Sequence, residues 1–387
     1  MTTACEPAPI VAERILTPPF VRLLVACTGS GASFYLLLSV VPLYVATAGS
    51  AAGAGLTTGV MLLATVLTEL AIPALIARFG YRTMVAAGLL MLGAPTPLLA
   101  LSASLPLVLA VCSVRGIGVA VMFVAGTALV AELVRPGRRG EALGLYGVAA
   151  GVPAVIGLPL GVYLSEQLGF TPVFALAAAS ALAGLAAAPG LPGRPASRDG
   201  SHTRVLRGIV GTGLVRLSVV FAAVTLAAGV VVTFLPIAEP AGRSRLVAVA
   251  LLVQALLAPI ARWAAGRYGD RRGYHLLLVP SVVLTATGVA ALASYRSPVA
   301  VLAGMVAFGI GYGAAQSVTL ALMFARAGDG AHGRVSALWN MMFDLGMGAG
   351  AAGFGVLAGA TGYTAAFAAT AALVAAMVVP ALREHRA

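Results

Sequence analysis

The sequence predicts an all-α integral membrane protein whose twelve transmembrane helices form two pseudo-symmetric six-helix bundles. Three observations carry that expectation. The composition suits lipid rather than water, long charge-free stretches alternate with short arginine clusters, and the second half of the chain repeats the first.

The 387 residues are 60% hydrophobic and only 9% charged, with a mean hydropathy of +1.01. Soluble domains run roughly 45–50% apolar and about 25% charged, so water cannot be the main solvent. A net charge of +12 raises nucleic acid as a partner, and the placement of the charges argues against it. Every one of the 24 basic residues is an arginine, mostly in short clusters between apolar stretches. A nucleic-acid surface needs a contiguous basic face with aromatic residues among the bases. Cys5, Cys27 and Cys112 are too scattered for a disulfide framework. No two of His202, His275, His332 and His385 share the spacing that puts two metal ligands on one helix face. No metal or cofactor is expected. Ala46-Thr47-Ala48 resembles a signal cleavage site, but the apolar stretch before it is too long and lacks a basic leader, so it is read as a spanning helix.

A span needs about 20 apolar residues. Between Arg22 and Glu69 lie 46 residues without a charge, broken by the small-residue run from Ala48 to Gly55: two helices and a tight turn. The next four spans fall near Thr83 to Leu101, Pro106 to Leu133, Glu141 to Leu164 and Thr171 to Ala188. Residues 189–208 then turn Pro/Gly-rich and carry Arg194, Arg198, Asp199, Arg204 and Arg207, the composition of a solvated linker. Six more spans follow, near Ile209 to Ile237, Leu246 to Ala265, His275 to Ser294, Pro298 to Ala325, Val335 to Ala360 and Thr364 to Pro380. The expected organisation is a tail at 1–19, a bundle at 20–188, the linker, a bundle at 209–380 and a tail at 381–387. With both termini in the cytoplasm, the outward loops hold only Arg243, Arg245 and Arg296, while nearly all other arginines face inward. The positive-inside rule selects that orientation, in the cell (inner) membrane.

The repeat constrains the architecture further. Phe20-Val21-Arg22-Leu23 returns as Leu214-Val215-Arg216-Leu217, each followed by a proline twenty residues after the arginine, Pro42 and Pro236. Arg78-Phe79-Gly80 returns as Arg271-Arg272-Gly273, and Gly116-Ile117-Gly118 as Gly309-Ile310-Gly311, both at an offset of 193. Six spans separate the copies, so the halves are parallel, related by an axis along the membrane normal, with a substrate site expected between them near the midplane.

These residues resemble the major facilitator superfamily over essentially the whole chain, most closely its twelve-helix drug and small-molecule efflux branch. The second half carries the loop signature as Gly266-Arg267-Tyr268-Gly269-Asp270-Arg271-Arg272-Gly273; the first-half copy, Pro73 to Arg82 with Arg78 and Gly80, has proline at the glycine position and Ala77 at the aspartate position. The resemblance implies that Asp270 latches one conformation against the start of the fifth helix, where Arg138, Arg139, Gly140 and Glu141 sit. A helix N-terminus favours such an anion. Arg115-Gly116-Ile117-Gly118 looks like the family's fourth-helix arginine motif. Gly151-Val152-Pro153 through Gly157, Pro159 and Gly161 looks loosely like its exporter motif, without the Gly-Pro pair.

Charges inside the hydrocarbon cost about 2.5–3.5 kcal/mol on insertion scales, which makes them functional candidates. Glu69, Arg115 and Asp344 stand out. Arg115 corresponds to Phe308, so packing alone does not demand a cation there; the alternative is an arginine bonded to backbone carbonyls of the first helix. Glu69 lies nine residues before Arg78 and Asp344 ten after Arg334, hence each about 14 to 15 Å from the cytoplasmic end. In the resembled fold the second and eleventh helices face each other. Two carboxylates brought together in low dielectric cannot both stay ionised cheaply, so closure of that side takes up a proton, with Arg115 tuning the pair or binding substrate. The alternative is that each acid merely bonds a neighbour such as Thr68 or Asn340. Tyr35, Arg115, Thr225, Tyr312, Gln316 and Asn340 are the expected cavity residues, with interhelical bonding as the alternative for each.

The expected function is secondary active transport of a small organic molecule by alternating access, as proton-coupled export, with protons and the bilayer as partners and a monomer as the working unit. An importer or uniporter of a sugar-like or other metabolite is the alternative, and a non-transporting receptor or scaffold the alternative from another class. No Gly-x-x-x-x-Gly-Lys loop exists in a chain without lysine, and no paired acids with histidine or metal cluster suggest an enzyme.

Overall fold

The computed structural model describes residues 16–134, 138–193, 214–239, 243–327 and 332–385, the side chains of 51, 131, 139–141, 332–334 and 385 excepted. Among them are twelve helices long and apolar enough to cross a membrane: α1 Pro18–Thr47, α2 Ala52–Glu69, α3 Ile72–Ala100, α4 Leu105–Val130, α5 Ala142–Leu168, α6 Phe170–Gly190, α7 Leu214–Ala238, α8 Ser244–Arg272, α9 His275–Leu292, α10 Pro298–Ala327, α11 Val335–Thr361 and α12 Tyr363–Glu384. No strand occurs among the described residues.

The repeat is visible in the backbone. Gly80 (φ 77) and Gly273 (φ 95), and again Gly169 (φ 82) and Gly362 (φ 81), are left-handed glycines separated by the same 193 positions. Each sits where one span ends and the next begins, because only a residue without Cβ reverses the chain there without strain. At Gly80 two helical pieces meet inside α3, so the turn between the second and third spans falls there, as the arginine-glycine spacing predicts. The helix pairings repeat as well: α1 packs on α5 as α7 packs on α11, α2 on α4 as α8 on α10, and α3 on α6 as α9 on α12.

Proline shapes the two central helices. Pro42 supplies no N–H and crowds Leu38; α1 breaks at Ser39 accordingly. Pro236 leaves the Val232 carbonyl in α7 without its helical donor, and Ser39 Oγ donates to that carbonyl at 2.7 Å. Ser39 and Val232 are themselves 193 positions apart, so this bond joins repeat-equivalent positions of the two halves. Replacing Ser39 with alanine orphans a buried carbonyl and is expected to cost about 1 kcal/mol, read as a lower melting temperature of the purified protein in detergent.

Three domain boundaries differ from the sequence reading. The first helix starts at Pro18, capped by Thr17, whose Oγ1 accepts from the Phe20 N–H at 3.4 Å. Residues 189–193 are not free linker. Arg82 Nε donates to the Leu191 carbonyl at 3.0 Å and the Arg82 N–H to that of Pro192 at 3.1 Å, docking this stretch on α3. The remainder of the linker, 194–208, lies outside the described residues. The last helix runs past Pro380 because Glu384 is held by Arg216 at 2.9 Å and Arg326 at 2.6 Å, tying α12 to α7 and α10.

Each half has its own apolar core. The halves meet where α2 packs on α11, α5 on α8, and the end of α1 on α7. This seam is tight at the end distant from the termini. A Cβ on Gly55 would stand 2.1 Å from the Ala351 carbonyl oxygen and one on Gly59 3.0 Å from Ala352 Cβ, while Thr58 and Thr233 share a hydroxyl hydrogen bond of 3.2 Å. Toward the termini the seam opens. Gly144, Gly147 and Gly151 share a face of α5 with Leu158 and Val162. The last two are buried, Val162 within the second half's core, yet a Cβ on any of the three glycines would meet nothing within 4 Å. The bundle is therefore closed at one end and splayed at the other.

Candidate transport site

Side chains from three other helices lie within electrostatic reach of Asp344. Glu69 closes α2 and Asp344 projects from α11; both are partly buried, and the two carboxylates lie within electrostatic range of each other. Tyr35 of α1 and Tyr312 of α10 lie within the same range of Asp344 and of one another. Tyr312 stacks on Phe308 one turn away, with centroids 5.5 Å apart, and Tyr35 stands edge-on to Phe34 at 4.9 Å. Tyr35 also borders a small recess between α1, α4 and α5, lined further by Cys27, Ser30, Phe123 and Tyr146.

Arg115 is elsewhere. Its guanidinium, 1% exposed, donates to the Leu92 carbonyl at 2.7 Å, to Thr96 Oγ1, and to the carbonyl and hydroxyl of Ser33 at 3.0 and 3.4 Å. It bolts α4 to α1 and α3, the carbonyl-bonding alternative weighed from the sequence. Substituting Arg115 with leucine leaves these acceptors unsatisfied in a dry seam and is expected to cost about 3 kcal/mol. The check is a depressed melting temperature with proton coupling intact in whatever protein folds. Thr225 is likewise spent between helices. Fully buried, it donates to the carbonyls of Ala222 at 3.1 Å and Met342 at 3.2 Å, a site a cavity cannot reach. Asn340 is exposed on α11, one turn from Asp344.

The motif residues resolve into packing and turns. Gly157 and Gly161 of α5 let α1 approach: a Cβ on Gly161 would stand 2.3 Å from the Leu36 carbonyl, and one on Gly157 3.0 Å from Tyr35 Cβ. Pro159 is accommodated within the same helix. Gly266 faces Ser317, Arg78 lies over Phe79 at 5.2 Å, and Arg271 is exposed. Asp270 accepts a hydrogen bond of 2.5 Å from Tyr274 Oη. That bond, more than burial, pushes the Tyr274 phenol up to about 12. The side chains of Arg139, Gly140 and Glu141, named as the latch's receptor, lie outside the described residues.

One charged residue escaped the sequence reading. Arg262 sits within α8, exposed in the open part of the seam. Its Nη1 donates to Gln316 Oε1 of α10 at 3.3 Å, and the guanidinium lies over the Trp339 ring of α11 at 5.7 Å. Trp339 in turn stacks on Phe221 at 4.5 Å and donates from Nε1 to Thr319 Oγ1 at 3.2 Å. The signal for Arg262 was in the repeat, since it stands 193 positions after Glu69. The two halves thus place opposite charges at one equivalent position.

The sequence matches the family model described as Major Facilitator Superfamily over residues 23–351, and again over 244–386. The chain belongs to the major facilitator superfamily. It is accordingly a membrane transporter working by alternating access, not an enzyme. Solved structures agree with the fold. The nucleoside transporter NupG, in a mutant form, superposes with a TM-score of 0.77 at 12% identity, covering 94% of this chain and 99% of that one. The xylose transporter XylE from E. coli, in a partially occluded inward open conformation, gives 0.74 at 13% identity, covering 94% and 97%. No curated protein matches the sequence significantly.

Proposed function

We propose that this superfamily member is a proton-coupled transporter of a small organic solute, with Glu69 and Asp344 as the proton-carrying pair. The observation that supports the reading is that Asp344 lies within electrostatic reach of Glu69 across the two halves, with Tyr35 and Tyr312 within the same reach of Asp344. Two acids at that depth ionise together only at high cost, so their protonation changes as the halves close on them or part. Arg115 drops out of the coupling set, its hydrogen bonds being spent on α1 and α3.

The arginine distribution supports cytoplasmic termini in the inner membrane, and with that orientation the splayed end faces the cytoplasm. One chain contributes both walls of the cavity, which supports a working monomer. Export is the direction implied by the resemblance of the helix 5 motif, but Gly157 and Gly161 serve the packing of α1 on α5 and do not discriminate. Uptake has the more specific support: Arg262 and Gln316 offer hydrogen bonds suited to a polar solute, and the two structural neighbours are named as nucleoside and xylose transporters. Vesicles carrying the purified protein, with a pH gradient imposed in either sense and a panel of sugars, nucleosides, organic acids and lipophilic cations, decide the matter. Solute accumulating on the alkaline side marks uptake by symport, and accumulation on the acidic side marks export. Flux indifferent to pH overturns the coupling.

A further inference from the structure

Arg262 is the most demanding group in the cavity to explain. Nine residues before Arg271 on α8, it lies about 13 Å inside the helix end at about 1.5 Å per residue, and among the described residues it makes no ion pair. Asp270, farther along the same helix, accepts from Tyr274. Against the guanidinium lie a neutral carboxamide and an indole face, with the Tyr312 phenol within electrostatic reach. The carboxamide and the indole steady a cation without neutralising it. Gln316 presents its oxygen to Arg262, which leaves its NH2 as a further donor.

We propose that Arg262, Gln316 and Trp339 form an anion-recognition subsite, and that the transported solute carries a carboxylate or similar planar oxyanion on an apolar or aromatic body. A guanidinium pairs with such an anion through two parallel hydrogen bonds. The body of the solute then lies toward Tyr35 and the partly exposed Phe343, which is 6.1 Å from Trp339. Arg262 stands on α8 and Glu69 on α2, at repeat-equivalent positions of different halves, so one molecule touching both reports to each half. The inference rests on the transport reading of this cavity, and it does not depend on proton coupling.

The protein supplies its own reporter, since Trp263 and Trp339 are its two tryptophans. Trp263 is exposed on the outer face of α8, so W263F leaves Trp339 as the single emitter beside Arg262. Benzoate, phenylacetate and octanoate, each titrated against its neutral amide into the detergent-purified W263F protein, give the test. Carboxylates are expected to shift Trp339 emission saturably, with amides at least about tenfold weaker. Arg262→Gln is expected to abolish the difference between acid and amide, and Arg262→Lys to retain part of it, because the charge survives but the fork does not. Gln316→Leu, which leaves the charge in place, is expected to weaken carboxylate binding several-fold and guards against a misfolded arginine variant. Equal binding of acid and amide, no response to any carboxylate, or undiminished selectivity in Arg262→Gln overturns the proposal. Failed proton coupling with intact carboxylate selectivity sinks the coupling reading alone.

Discussion

Vesicles containing Glu69→Gln together with Asp344→Asn are expected to lose solute accumulation driven by a pH gradient while exchange at equal pH continues. Each unit of pH gradient supports about tenfold accumulation per coupled proton, the equivalent of about 1.36 kcal/mol. With a gradient of two units, the loss of one proton's coupling reads as a fall of about a hundredfold in the steady-state ratio. The amide variants keep the shape and hydrogen-bonding capacity of the acids, so binding and the rocking of the halves persist and only the exchangeable proton is gone. The single variants separate the members of the pair. Whichever acid carries the proton alone abolishes coupling alone, whereas a shared proton makes each single variant partly coupled. Accumulation that survives the double substitution rules the pair out.

Gly55→Leu is expected to stop transport by a different route, through the seal rather than the site. At that position even a Cβ would stand 2.1 Å from the Ala351 carbonyl oxygen and 3.1 Å from Phe234 Cζ. The obstacle is backbone of α11 in the other half, which has no rotamer to yield, so the distal seam must part. A strain of about 1–3 kcal/mol moves the balance between closed and open seams by roughly five- to a hundred-and-fifty-fold. Thr58, buried in the same seam at 2% exposure, is the place to read it. With the native cysteines replaced, Thr58→Cys should react with a membrane-impermeant maleimide at least about fivefold faster when Gly55 is leucine. Unchanged labelling means that this seam does not open in the transport cycle. Gly353, where a Cβ meets nothing within 4 Å, supplies the control: a leucine there should leave labelling and transport unaltered.

Most of the fold was legible from the residues. Span number and parallel halves follow from hydropathy, arginine placement and the 193-residue offset, because lipid forces the backbone of each apolar stretch to bond within itself; most helix limits fall within a few residues, the start of α3 at Ile72 rather than near Thr83 being the exception. The site was legible in part. Glu69 and Asp344 announce themselves as charges in apolar runs, and in the fold Asp344 lies within electrostatic reach of Glu69, Tyr35 and Tyr312. Arg262 was passed over because it lies near the arginine-rich end of its span, where cations normally reach for headgroups; subtracting the repeat offset from its number would have exposed it. Arg115 and Thr225 show the opposite error. A polar residue in a membrane helix looks the same in sequence whether it faces a cavity or a neighbouring carbonyl.

By itself the sequence determined what lipid and water dictate one segment at a time: which stretches cross, where glycine must turn the chain, which ends gather arginine, and that the second half copies the first. Only the tertiary structure decided which polar groups are consumed in holding helices together and which remain to meet a solute, and at which end the halves part. Those outcomes depend on where each side chain points once two bundles are packed against each other. A hydrogen bond such as that from Ser39 to the carbonyl freed by Pro236 joins residues half the chain apart, beyond the reach of any local pattern.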